Sequence, residues 1–333
     1  MLRRFSASLI LVAGLFVFGC GPRSQTGRLP DAPAAPPPPP PGKALAIDSS
    51  LRERAKQELA KDVTAQDPII RANALEAIQN AVGVDGEDVI KGGLADPSPL
   101  VRFSASMAVG TLRITDAHQA LLNLVNDPDP HVRIGVRYAL HRIGDTHLSH
   151  ELEQTSRDFD PHVRADTAMA LGLLGEPSAM NVLKPMLLDA DPDVRLQVAE
   201  AMWRLGSEEG LTNLVAGSLS SYADDQILCL LALAAPRDYR VAEHLRGRLT
   251  ADYPQVALAA ARGLGQLGSD AGFGVAKEFV VSKDPRISSM AALAMGDIGR
   301  SDAQPLLAPL LVDSDPMVRL SAATAILQLK APR

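Results

Sequence analysis

Apolar and polar positions fall into a register that returns every 31 residues. The run Asp127-Pro128-Asp129-Pro130-His131-Val132-Arg133 recurs as Asp158-Phe159-Asp160-Pro161-His162-Val163-Arg164 and as Asp189-Ala190-Asp191-Pro192-Asp193-Val194-Arg195. Extending the same step in both directions reaches Arg71, Arg102, Gln226, Ala257, Ser288 and Arg319 without an insertion. Such a register signals stacked repeats, whose core grows one unit at a time, rather than separate globular domains.

Each repeat carries its own helix signals. Three residues before the register position stands a proline, or Ala223 in one repeat, usually with Asp or Ser just ahead of it. Proline at a first helical position behind an oxygen-bearing cap is a helix start. The residues three and six after the register position are nearly all small, as in Ala105 with Ala108 and Ala291 with Ala294. The preceding residue and those seven and ten after it are mostly large and apolar, which gives one buried helical face. Gly144, Gly175, Gly206, Gly268 and Gly299 then close the helix. A more variable helix follows, for instance around 183–188. The pattern predicts an all-α fold of about nine 31-residue helical hairpins over residues 47–333.

The register arginine has a companion. Asp96, Asp127, Asp158, Asp189 and Asp313 stand six residues before Arg102, Arg133, Arg164, Arg195 and Arg319, and the matching positions before Gln226, Ala257 and Ser288 are Ser220, Ala251 and Ser282. Acid and base vanish together. This predicts a ladder of Asp–Arg contacts stapling the turns, a structural role rather than a ligand site.

Two helices per short repeat, with Asp-Pro before the second, an arginine on its first turn and small residues along it, resemble HEAT repeats of the phycobilisome-lyase type. The resemblance covers about Ser49 to Lys330. It implies a right-handed α-solenoid whose second helices line the inner face. On that implication, positions two, five and nine after the arginine face a groove. Met107, Tyr138, Arg142, Met169 and Arg204 then form a candidate site for an extended protein or peptide partner, with Trp203 either a groove anchor or packed between helices. The alternative is that neighbouring repeats cover these side chains. The first helix, rich in Arg, Lys and Glu, suits a polar cap. The last unit ends without a further helix, which leaves Leu320 and Leu327 as candidates for partial exposure and an end-on contact.

Composition narrows the function classes. The formal charge is −6 and no basic tract is present, so the positive stripe that nucleic acid requires is missing. Met1 to Cys20 carries Arg3 and Arg4, an apolar run from Leu9 to Phe18, and Gly19 before the cysteine. This run is short for a bilayer span and resembles a bacterial lipoprotein signal peptide over residues 1–19, with lipid on Cys20. Residues 20–46 then form a lipidated, proline-rich tether containing the unbroken run Pro36 to Pro41, which favours a semi-rigid polyproline II spacer. Gly21, in place of a retaining Asp, leads to the periplasmic face of the outer membrane in a diderm host. Cys229, at a small-residue position, reads as a buried hydrophobe.

Chemistry is sparse. Deoxyhypusine hydroxylases of this superfamily hold two irons with recurring His-Glu dyads, whereas here only His150-Glu151 is adjacent and it does not recur. His118, His131, His141, His147, His150 and His162 fall within two neighbouring repeats, which leaves open an enzyme or metal protein built on the third and fourth repeats. A purely structural spacer is the remaining alternative. The expectation from sequence is a non-catalytic, membrane-anchored scaffold without cofactor or metal.

Overall fold

The computed structural model describes residues 45–147 and 150–330. The expected signal peptide, the Cys20 lipidation site and the tether, save Leu45 and Ala46, lie outside the described residues. Among the latter the chain is helical throughout, and no helix is long and apolar enough to cross a membrane. The expected all-α architecture of helical hairpins is borne out. These residues form two compact units, 63–216, and 45–62 together with 217–330.

The first unit contains long helices α2 (Pro68–Ala81), α4 (Pro99–Leu112), α6 (Pro130–Arg142), α8 (Pro161–Leu174) and α10 (Pro192–Arg204). Short helices α3 (Glu87–Gly93), α5 (His118–Leu122), α7 (Glu151–Thr155) and α9 (Met180–Met186) alternate with them, and α11 (Glu208–Gly217) ends at the boundary. The second unit contains α1 (Ser49–Asp62) and long helices α12 (Ala223–Ala234), α14 (Pro254–Gln266), α16 (Pro285–Ile298) and α18 (Pro316–Gln328). Its short helices are α13 (Ala242–Gly247), α15 (Phe273–Phe279) and α17 (Gln304–Leu307).

The long helices start at the register proline, or at Ala223 in α12, and an Asp cap stands ahead of α2, α6, α8, α10, α16 and α18. Asp129 Oδ1, for example, accepts from the backbone amides of His131 and Val132, which satisfies two of the free donors of the first turn. At the other end, Gly175 (φ 78°) and Gly299 (φ 75°) turn the chain through the left-handed region. The equivalent place, eleven after the register position, holds Arg113 (φ 56°) in the first unit and Arg237 (φ 58°) in the second. A side chain there costs about 1–2 kcal/mol.

The small residues let successive long helices touch. A Cβ on Gly172 would lie 2.6 Å from Ala201 Cα, and one on Gly296 would lie 2.7 Å from Ala325 Cα. The Ala-rich faces of α14 and α16 are buried on this account, and Cys229 is buried as expected.

The N-terminal helix departs from the expectation of a merely polar cap. It buries Leu51, Ala55 and Leu59 and packs on α18. Leu320, expected to be partly exposed, is fully buried, while Leu327 is half-buried. Arg52 Nη2 donates to the Leu329 carbonyl (2.8 Å), Asp48 N to Gln304 Oε1 (2.7 Å), and Leu45 N to Ser301 Oγ (3.0 Å). The end face read as open for an end-on contact is covered by the chain's own first helix.

Candidate functional site

The Asp–Arg ladder exists with a different pairing. Arg102 Nη1 donates to the backbone carbonyls of Asp96 (2.9 Å) and Pro97 (3.1 Å) in its own repeat. Its Nε and Nη2 donate to the carboxylate of Asp127, 25 residues on, at 2.8 and 2.9 Å. Arg71 meets Asp96, and Arg164 meets Asp189, in the same bidentate way. The aspartate is therefore a partner of the preceding repeat's arginine and gives its own arginine only a main-chain oxygen. The reason lies in the turn, since Asp96 Oδ1 also accepts from Ser98 N and is thereby aimed away from Arg102.

Planar guanidinium and carboxylate meeting over two parallel bonds is the strongest form of such a contact. Burial raises the Asp96 and Asp127 pKa values, but the arginine bond, the turn's backbone amide bond and the charges of the neighbouring arginines together outweigh it and hold both carboxyls below the usual range. For Asp189 the Arg164 bond dominates with the same result. Arg133 and Arg195 keep the two carbonyl bonds of their own repeats. Arg319 has its carbonyl bonds to Asp313 and Ser314, and its Nε donates to Glu58 of α1 at 2.6 Å.

The groove read from the sequence is absent from the surface. Met107, Tyr138, Met169 and Trp203 are each at most 2% exposed. Adjacent long helices approach so closely, as at Gly110 against the Tyr138 ring, that position five is interior. Arg142 and Arg204 are half-buried. Arg204 is held by Glu200 at 2.8 Å, and Arg142 Nε reaches the Gly110 carbonyl at 3.4 Å.

The histidines pair singly with acids instead of converging. His118 faces Asp145 at 3.0 Å, His131 faces Asp166 at 2.5 Å, and His141 faces Glu176 at 2.8 Å. His150 Nδ1 lies 3.1 Å from the His147 carbonyl, and Glu151 bonds Arg137. Burial works against charge on His131, yet the Asp166 bond and its charge raise its pKa above the ordinary value. Among the described residues no three His, Cys, Asp or Glu side chains gather as a metal site would require.

Sequence reasoning missed an exposed row. Leu188, Leu219, Val281 and Val312, each seven before a register position, are 60% to 89% exposed. The signal was available as one alignment column in which a turn carries Leu or Val. In the first unit Leu188 borders an open hollow of about 330 Å³ with Arg157, Val182, Pro185 and Met186. Arg164 also lines it and bonds the carbonyl of Phe159 (3.2 Å), whose side chain is fully exposed.

Stacked hairpins with a structural core and outward turns define a repeat scaffold. HEAT repeats are recognised at residues 86–151, 148–234 and 242–327, more than half of the chain, and the protein belongs to this family. No curated protein sequence matches it. Among solved structures it is similar to the complex of CpcE and CpcF of phycocyanin lyase from Nostoc sp. PCC7120, with 20% identity and TM-score 0.45 over 74% of this chain and 97% of that one. It is also similar to human deoxyhypusine hydroxylase in complex with glycerol, with 18% identity and TM-score 0.37 over 75% and 97% of the two chains. Likenesses at this level assign neither an activity nor a partner to the present chain.

Proposed function

We propose that the protein is a non-catalytic HEAT-repeat scaffold that binds a protein or peptide partner and is tethered to the bacterial envelope by lipid on Cys20, at the periplasmic face of the outer membrane in a diderm host. The observation that carries the binding role is the exposed apolar row. Turns need small, polar or kinked residues, so a Leu or Val held in water at the same repeat position has no use in the fold, and exposed apolar patches mark contact surfaces. In the first unit Leu188 supplies an apolar anchor at the hollow that Arg157 also lines, and Phe159 is a second exposed apolar side chain. A partner segment presenting an apolar side chain next to a carboxylate fits this chemistry.

The anchor rests on the leader pattern, and several acyl chains on one cysteine give stable membrane attachment. The binding test is capture from the native envelope by the wild-type protein and by a Phe159→Ser/Leu188→Ser variant. Loss of one specific partner in the variant is expected, and equal capture by both overturns the surface. For the anchor, Cys20→Ser abolishes incorporation of labelled palmitate and moves the protein to the soluble fraction; persistent labelling overturns it.

A further inference from the structure

Helix α1 packs on α18 much as α18 packs on α16 and α16 on α14 within the same unit. A single-bond version of the rung stands there: Arg319 Nε donates to the Glu58 carboxylate at 2.6 Å, where Arg102 meets Asp127 through two bonds. Leu51, Ala55 and Leu59 supply the apolar stripe. Yet this contact differs from an ordinary repeat junction in two respects. Its two members are 261 residues apart at the Arg319–Glu58 bond, so a change in α1 leaves the chain of repeats unbroken. It is also poorly satisfied. Among the described residues, buried side-chain polar atoms without a hydrogen-bond partner include Arg52 Nε and Asp62 Oδ2 on α1 and Ser321 Oγ on α18.

We propose that α1 is a releasable clasp on α18, held closed in mild acid and loosened toward neutral pH by the buried carboxyl of Asp62.

The geometry places Asp62 at the end of α1, only 3% exposed. One turn back on the same helix is Glu58, a like charge, and Lys61 lies beside it; α18 brings Arg319 as its one charged side chain facing this end. The turn Ala308–Val312, which also packs on α1, has no charged residue. Arg319 is already engaged by Glu58, so an ionised Asp62 is left without a counter-charge of its own. Burial, then repulsion from Glu58, pushes the Asp62 pKa up to about 6 against a smaller lowering by Arg319 and Lys61.

In the released state Asp62 is hydrated and titrates near 3.8, so the closed state binds its proton more tightly. Closure is therefore favoured up to about pH 4, weakens as the pH rises toward 6, and is weakest above that. Each unit of difference is worth a factor of ten in the opening equilibrium.

The experiment is hydrogen–deuterium exchange on the full chain at pH 5.0 and pH 7.5, corrected for the intrinsic pH dependence of exchange. The expected result is opening of residues 49–62 and 316–328 that is about tenfold or more commoner at pH 7.5, with residues 63–216 unchanged. Asp62→Asn keeps the size of the side chain and removes the charge, so it should hold both segments protected at both pH values. Glu58→Gln should loosen the clasp at both and move the midpoint of its pH response downward. Equal protection of the wild type at the two pH values overturns the proposal. So does an unchanged pH response in Asp62→Asn, and so does a response spread evenly over 63–216.

Discussion

In residues 63–216 the register arginine meets the carboxylate of the following turn bidentately at Arg71, Arg102 and Arg164, whereas residues 217–330 put Gln226, Ala257 and Ser288 in the same place. The second unit does not simply lack the contact. Gln226 Nε2 donates to the Ser220 carbonyl six residues back, as each arginine does in its own repeat, but reaches no carboxylate. Ser282 Oγ accepts from Asp284 N, just as Asp96 accepts from Ser98 N, but binds no arginine. Two tasks that one Arg–Asp pair performs in the first unit are thus separable. Securing the turn survives in the second unit, while joining one turn to the next passes to other partners: Arg248 Nη2 donates to Gln226 Oε1, and Arg319 Nε to Glu58. Inter-helix ion pairing moves there to Arg262–Asp297 (2.9 Å), which links α14 and α16. Arg300 pairs with Asp270 and Asp302 while covering the Phe273 ring.

The contrast breaks most sharply at Arg102. Arg102→Met leaves the Asp127 carboxylate, 5% exposed, without its counter-charge, and should lower stability by about 3 kcal/mol in urea unfolding. Gln226→Met removes the bond to the Ser220 carbonyl and the one that Gln226 Oε1 accepts from Arg248 but strands no carboxylate, and should cost about 2 kcal/mol; a loss equal to that of Arg102→Met would erase the distinction between the units. Next in size is the coupling in a double-mutant cycle. Arg164 and Asp189 should couple by about 1–2 kcal/mol, while Arg164 and Asp158 should be close to additive. The reverse would restore the pairing within one repeat. Arg113→Gly and Arg237→Gly relieve the same left-handed strain in one unit each, so each should gain about 1 kcal/mol, read as a raised melting temperature. A gain in one unit alone would show that the two turns are not equivalent. Smallest of all, Leu188→Ser and Val281→Ser should leave stability within about 0.5 kcal/mol of the wild type, because neither side chain is packed.

The helical hairpins were legible because their signals are local. An Asp-Pro start, a small-residue stripe and a glycine stop each act within one repeat, and the nine long helices begin at Pro68, Pro99 and their equivalents as the register requires. The site was less legible because sequence periodicity states which positions are equivalent but not which neighbour each faces. The co-occurrence of Asp158 with Arg164 and of Asp189 with Arg195 fits pairing within a repeat. The guanidinium of Arg164 nevertheless crosses to Asp189, since the carboxylate in its own repeat is already turned toward the chain ahead of it. Met107, Tyr138 and Met169 were placed at a groove by the carried-over orientation of the second helices. Glycine contacts such as Gly172 against Ala201 bring those helices too close for a groove at that position. The Leu188 row was in view as a column and was overlooked because it falls in turns, where apolar side chains are not sought. Nothing local in Leu51 to Asp62 says that its partner is α18.

The seating of α1 against α18 also sets an order of events at birth. Residues 63–216 are contiguous, so their unit can close while the chain is still being made. The other unit needs residues from both sides of that stretch, 45–62 and 217–330. Glu58 emerges 261 residues before Arg319, which at about 5–20 residues per second means a wait of roughly 13 to 50 s. Throughout that interval the apolar stripe of α1 has no seat, and it is then a ready target for chaperones or for the helix of another nascent chain.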